Sequence, residues 1–271
     1  LSQSFATPSA EHIFGCDQQG RDMFSRILVG TQVTLAVGVL SVAISLTVGV
    51  ALGAIAGYKG GKVDTVIMRC MDIMLAVPSI LLAITFMAAF GKGIEKAVVA
   101  IGLVSIPEYA RIVRSQILAV KESDYVAAAR VIGDTDATII VRHILPNVMP
   151  SIIVRATLGI SSAILDCAAL GFLGLGVQPP AAEWGDMLGR GRNYIFSAPH
   201  AMLFPGMAIT LNGIAQGYIT DRVAELLRDA GMLEVLVEAG EIRAPGQGPG
   251  GRPWQVALAH PALPEGRLTV G

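Results

Sequence analysis

The chain has 271 residues, 53% of them hydrophobic and 15% charged, with a formal net charge of -1. Soluble domains carry about 25% charged residues, so a mean hydropathy of +0.61 directs attention to membrane spans first. The near-neutral balance excludes a nucleic-acid partner on electrostatic grounds, and Cys16, Cys70 and Cys167 are too few and scattered for a disulfide framework or a metal cage.

Residues 1–30 read as an extracytoplasmic segment. No apolar signal-peptide core occurs in 1–26, and 15–28 suggests a polar approach followed by a short amphipathic helix at the membrane surface. Residues 27–58 contain no Asp, Glu, Lys or Arg. A helix needs roughly 20 apolar residues to cross the hydrocarbon core, so this run is the first expected span. Its Gly38, Gly49, Gly53 and Gly57 allow close helix approach, which belongs to a polytopic bundle. Further spans are expected in 73–91, in 97–118, within 143–182 and in 193–220. The 97–118 run carries Glu108, Arg111 and Arg114 in its second half and is expected to continue as a charged cytoplasmic helix.

Two carboxylates fall in or beside these runs. Asp72 stands near a cytoplasmic end, where solvation is the simpler account, with a place on a translocation path as the other. Asp166 lies deeper, and lining a path or bracing a helix interface stand equal for it. Arg155, one turn into its span, is expected to snorkel. Pro78 predicts a kink, a hinge or a packing feature. Lys59, Lys62, Arg69, Arg111, Arg114, Lys121, Arg130 and Arg142 fall on one side of the spans. Arg21, Arg26, Lys92, Lys96, Arg190 and Arg192 fall on the other. The small excess puts the first set, and the 108–146 segment, in the cytoplasm, with the amino terminus outside.

In 122–154, Ser123 or Asp124 can cap a helix that runs through Ala127, Ala128 and Ala129 and stops at Gly133. Asp134, Thr135 and Asp136 offer a second cap for a short helix to His143, and Pro146 and Pro150 are expected to terminate or kink the chain before the next span. The result is a small knob. By spacing alone it is equally a docking element and an ordinary amphipathic connector.

From about residue 211 the pattern changes. Residues 212–271 hold five Lys or Arg, seven Asp or Glu and ten Gly. A helix capped by Thr220 or Asp221 and ended by Gly231, a strand at 233–239, a turn at 246–251 and a second strand at 254–259 are expected. That is a helix–strand–strand piece of an α/β domain.

Ala127, Ala128, Ala129, Gly133, Leu145 and Pro146 resemble the EAA loop of ABC importer permeases, with Ala127 where the general motif has Glu and His143 where an aliphatic residue is common. The segments 15–30, 56–84, 123–133, 142–147 and 164–188 resemble the dipeptide/oligopeptide/nickel group of these permeases, over about residues 10–210. The resemblance implies an all-α polytopic membrane protein with the type I importer transmembrane fold. The transmembrane domain would be 31–210 and the EAA-type loop 122–150, and the first of the usual six spans would be missing. It implies a multi-pass protein of the bacterial cytoplasmic membrane, surrounded by lipid, that performs no chemistry. A second permease subunit, cytoplasmic ATPase subunits and an extracytoplasmic substrate-binding protein would be its partners. ATP and magnesium would sit on the ATPases, with no cofactor on this chain. Peptides or similar small solutes would be the cargo. Tyr125, Ala127, Ala128, Ala129, Gly133, Ile144, Leu145 and Pro146 would contact the ATPases, and Asp72, Pro78 and Asp166 would line the path.

The segments 212–227, 240–243 and 251–256 resemble the FAD:protein FMN transferase family. Gly213, Gln216, Gly217, Asp221 and Gly240 carry that likeness, which implies FAD and magnesium. The family's flavin-binding part is missing, so no activity is expected of a 211–271 fragment. The alternatives are a partial transferase, or a non-functional hybrid joined between residues 210 and 211.

Overall fold

The computed structural model describes residues 3–229 and four strands between 237 and 270. The chain divides into two compact units, Leu1–Gly213 and Ile214–Gly271.

The first unit is helical. Helix α1 spans Met23–Lys59, and the Asp22 carboxylate caps it by accepting the Ser25 N–H at 2.8 Å. The separate surface helix expected within 15–28 does not form. Residues 15–22 are a loop closed by a bridge between Cys16 and Asp22, and 23–28 are the first turns of the uninterrupted α1.

The 73–91 run, expected as one span, is broken. Helix α2 (Gly61–Leu75) and α3 (Ser79–Phe90) meet at 91°. Pro78 caps α3, having no N–H to continue α2 and disfavouring helical backbone before it. Helix α4 spans Ile94–Val120 and contains Pro107. The first half of the knob follows the expected plan, with α5 at Asp124–Ile132, whereas α6 is only Asp136–Thr138 and is not the separate helix to His143 that was expected.

Beyond α6 the prolines do not end the helix. A π-helical turn, Ile139–Ile144, runs into α7 (Leu145–Phe172). The wider turn is closed by the Leu145 N–H on the Ile140 carbonyl. Pro146 then sits in the first turn of α7, where a missing donor costs least. Helix α8 (Trp184–Gly191) was not legible in advance, and α9 spans His200–Asp229.

Helices α1, α4 and α7 form the centre. Gly49, Gly53 and Gly57 recur every fourth residue on α1, and the α4 backbone lies against them. A Cβ would come within 2.6 Å of Tyr109 Cβ at Gly49, 2.5 Å of the Ala110 carbonyl at Gly53 and 3.0 Å of the Arg114 carbonyl at Gly57. Gly38 does the same for α7, where a Cβ would stand 3.0 Å from Ile164. Backbones this close gain dispersion contacts that lipid cannot replace. Val37, Val42, Ile101, Tyr109, Cys167 and Leu170 fill the core around them, so Cys167 acts as a small apolar residue.

Among the described residues, Met23–Lys59 and Asp136–Phe172 are continuous helical stretches long and apolar enough to span a membrane, and the bent α2–α3 pair is a third candidate. Helices α4 and α9 are long enough but more polar, α4 through its Glu and Arg residues and α9 through Asn212 and Gln216.

In the second unit, β1 (Val237–Glu238) pairs antiparallel with β2 (Ile242–Arg243), and β3 (Trp254–His260) with β4 (Leu263–Val270). β3 matches the strand expected at 254–259. Of 233–239, only Val237–Glu238 is described as strand, and the 246–251 turn lies outside the described residues. Thr220 and Asp221 do not start a helix. They lie inside α9, because the apolar run from 193 carries helix through them.

Candidate functional site

Two places in the first unit concentrate functional chemistry. The first is a cavity of about 370 Å³ between the α2–α3 bend, α4 and α7. Pro78 and Ser79 contribute the bend, Ser105, Glu108 and Tyr109 one face of α4, and Arg155, Gly159, Ser162 and Asp166 one face of α7. The α7 set follows i, i+4, i+7, i+11, which a helix brings into a single stripe. Arg155 forms an ion pair with Glu108 and lies over the Tyr109 ring at 5.5 Å. The Arg155 charge is therefore held between α4 and α7 instead of snorkelling away from them. Gly159 is small because the Tyr109 hydroxyl, buried without a hydrogen-bond partner among the described residues, occupies the place of a side chain.

The structure brings Pro78 and Asp166 to this cavity and leaves Asp72 out. Asp72 instead accepts Arg111 Nη2 at 2.6 Å, with both side chains about half exposed. Glu108, Tyr109, Ser105 and Ser162 were missed as lining residues. The stripe on α7 was readable from spacing, but its α4 partner was not, since helix pairing is a tertiary fact.

The second place is the knob. Gly133 ends α5 with φ +93°, which lets Asp134 N–H reach the Ala129 carbonyl at 3.1 Å. Val126 and Ala129 face inward, onto Val113, Ile117, Ile139 and Ile144. Tyr125, Ala127, Ala128 and Pro146 face outward, beside Val131 and Ile132, which are 88% and 82% exposed. The eight expected coupling residues thus divide. Ala129 and Ile144 support the knob from within, Leu145 is half-buried, and the others form its surface. The knob is also tied to the end of α1. Tyr58 Oη lies 3.1 Å from Asp136, and the Arg130 guanidinium stacks 5.4 Å over the Tyr58 ring. His143 Nε2 meets Asp134 at 2.9 Å across the loop.

Near the other end of α7, the loop to α8 is pinned by Glu183. Its carboxylate is fully buried and accepts the Gly185 and Asp186 N–H groups at 2.7 and 2.8 Å. Burial pushes its pKa up, against the two backbone donors, which favour the charged form. Trp184 Nε1 donates to the Ile27 carbonyl at 3.1 Å, fixing the loop to α1. On α9, Asn212 Nδ2 donates to the Ser161 carbonyl and hydroxyl at 3.1 and 2.8 Å.

Of the residues carrying the flavin-transferase likeness, Gly213, Gln216, Gly217 and Asp221 fall on α9 and Gly240 lies outside the described residues. Among the described residues, no group of three or more His, Cys, Asp or Glu is placed to hold a metal ion.

Residues 49–228 match the model of a protein family described as the binding-protein-dependent transport system inner membrane component. The chain is 48% identical to a dipeptide transport system permease protein of Alkalihalophilus pseudofirmus over 223 residues, which is 82% of this chain and 72% of that protein. It is 45% identical to a probable D,D-dipeptide transport system permease protein of Escherichia coli, over 84% of this chain and 76% of the other. It is 44% identical to a glutathione transport system permease protein of Pectobacterium atrosepticum, over 81% and 73%. Among solved structures, the inward-facing methionine ABC transporter MetNI superposes with a TM-score of 0.59 at 20% identity, over 74% of this chain and 97% of that one.

Proposed function

This chain belongs to the binding-protein-dependent transport system inner membrane component family, and from that premise we propose a cargo, a path and a coupling surface for it. It is a membrane-integral permease subunit of an ABC importer and not itself an enzyme. The cargo is peptides or similar small solutes, in keeping with the dipeptide and glutathione permeases it is similar to. The membrane is the bacterial cytoplasmic membrane. A second permease subunit, a pair of cytoplasmic ATPases that hold ATP and magnesium, and an extracytoplasmic binding protein complete the machine.

The observation that carries the coupling role is the outward-facing apolar surface of α5. Val131 and Ile132 stand exposed on a short helix closed at Gly133, which is costly unless a partner covers them. ATPase closure pushes the knob, Tyr58 passes the push to α1, and the central helices tilt as bodies. The cavity at the α2–α3 bend is the path, with Pro78 and Asp166 on its wall. Asp72 is proposed for the path no longer, since Arg111 holds it outside the cavity.

Reading 212–271 as a flavin-transferase piece rests on sequence motifs alone, and the transport role draws nothing from it. The test is reconstitution of the chain with its permease, ATPase and binding-protein partners in proteoliposomes. ATP-dependent accumulation of a labelled dipeptide is expected. Assembly and ATP hydrolysis without accumulation of any peptide would overturn the cargo.

A further inference from the structure

Three charged residues line the cavity, and two of them cancel. Glu108 is paired with Arg155. Asp166 has no hydrogen bond or ion pair among the described residues, although it lies well inside α7, where a carboxylate without a counter-ion is costly. Arg155 cannot serve it, being eleven residues away on the same helix, about 16 Å along the axis. Asp72 shows how the fold treats a carboxylate it needs only structurally, by giving it Arg111 at 2.6 Å. Asp166 is treated differently.

The surroundings of Asp166 narrow what could complete it. Ionised, it is an acceptor only. Ser105 on the same cavity wall spends its hydroxyl proton on the Ile101 carbonyl at 3.1 Å and so presents its oxygen as an acceptor. With Glu108 and Arg155 paired, the cavity carries one unbalanced negative charge when Asp166 is ionised. Its volume of about 370 Å³ falls within the roughly 300–1,000 Å³ of small-molecule pockets. A primary ammonium brings one positive charge and three donors on a compact head.

We propose that Asp166 is a specificity-determining residue that receives the α-ammonium group of the peptide passing through the cavity. The proposal rests on the peptide cargo assigned above. Between binding-protein release and exit, the ammonium would exchange water for Asp166, and the unpaired carboxylate would hold the carrier open to amino-terminated solutes while disfavouring anions.

The test uses the whole complex, with its second permease and ATPases, in nanodiscs without the binding protein. Equilibrium dialysis measures retention of labelled Ala-Ala and of N-acetyl-Ala-Ala. Loss of one charge-assisted hydrogen-bonded contact weakens binding about tenfold. The wild-type complex is therefore expected to prefer Ala-Ala by about that factor. Asp166→Asn should abolish the preference, and Asp166→Glu should retain it. Equal discrimination by wild type and Asp166→Asn overturns the proposal. So does an Asp166→Asn complex that sheds the second permease on gel filtration while Asp166→Glu does not, since the carboxylate would then brace an interface. Proteoliposome uptake separates the two layers. If the wild type imports Ala-Ala but Asp166→Asn leaves discrimination intact, only this inference falls. If it imports no peptide, the assigned cargo falls and takes the inference with it.

Discussion

Gly159 has no side chain because Tyr109 needs the room. Gly159→Ala gains at most about 1 kcal/mol of helix propensity and forces a collision with the Tyr109 hydroxyl that costs about 1–3 kcal/mol. Thermal unfolding in detergent should show a lowered Tm, recovered in Gly159→Ala/Tyr109→Phe, and no recovery would refute the steric account. Glu183 makes a pH-dependent contribution of opposite sign to an ordinary exposed ion pair. Its pKa is raised in the fold by burial, so the native state binds the proton more tightly than the unfolded chain. Stability should therefore fall as pH rises from the usual carboxylate range through the raised value. Glu183→Gln keeps an acceptor for the Gly185 N–H and should flatten that slope in unfolding measured against pH. A slope unchanged in the variant would assign it to other groups.

Among the elements, the knob combines an inner face that folds it with an outer face free for a partner. Ala128→Asp changes only the outer face, so Tm should hold while co-purification of the ATPases drops. Gly133→Val instead asks a branched residue to take φ +93°, at about 1–2 kcal/mol, and should lower both. Equal loss of Tm in the two variants would mean that the outer face is structural. Tyr58→Phe keeps the ring under Arg130 but removes the contact to Asp136. It should leave ATPase binding intact and lower the uptake obtained per ATP hydrolysed. Much of the knob was legible because its signals are local: Thr135 as a cap, Gly133 as a stop, and Ser123 at the N-cap position, although its hydroxyl donates to the Val120 carbonyl instead of capping α5. The long spans α1 and α7 were legible because a missing charge is visible residue by residue. The 91° bend was not, since hydropathy is blind to direction and Pro78 permits a kink or a full break alike. The π-helical turn was missed for a related reason. Pro146 announces that one hydrogen bond is lost, without saying that a wider turn will absorb it. The cavity depends on which helices are neighbours, and only half of it, the α7 stripe, could be read from spacing.

At the scale of the molecule, the family match runs through residue 228, past the change in composition near 211. Asn212, just beyond that change, is seated on Ser161, so the permease part continues into α9. A chain ending at residue 229 is accordingly expected to retain dipeptide uptake in proteoliposomes, and loss of uptake with normal membrane insertion would show that 230–271 contributes. The glycine ladder of α1 sets how the rest can move. With the α4 backbone close against Gly49, Gly53 and Gly57, little side-chain material lies between the two helices at these positions to shear or re-sort its rotamers. The pair behaves as one stiff beam. If the knob pushes at Tyr58 as proposed, the beam carries that push as one body, and the break between Leu75 and Ser79, on the wall of the cavity itself, is one joint that can take up the movement.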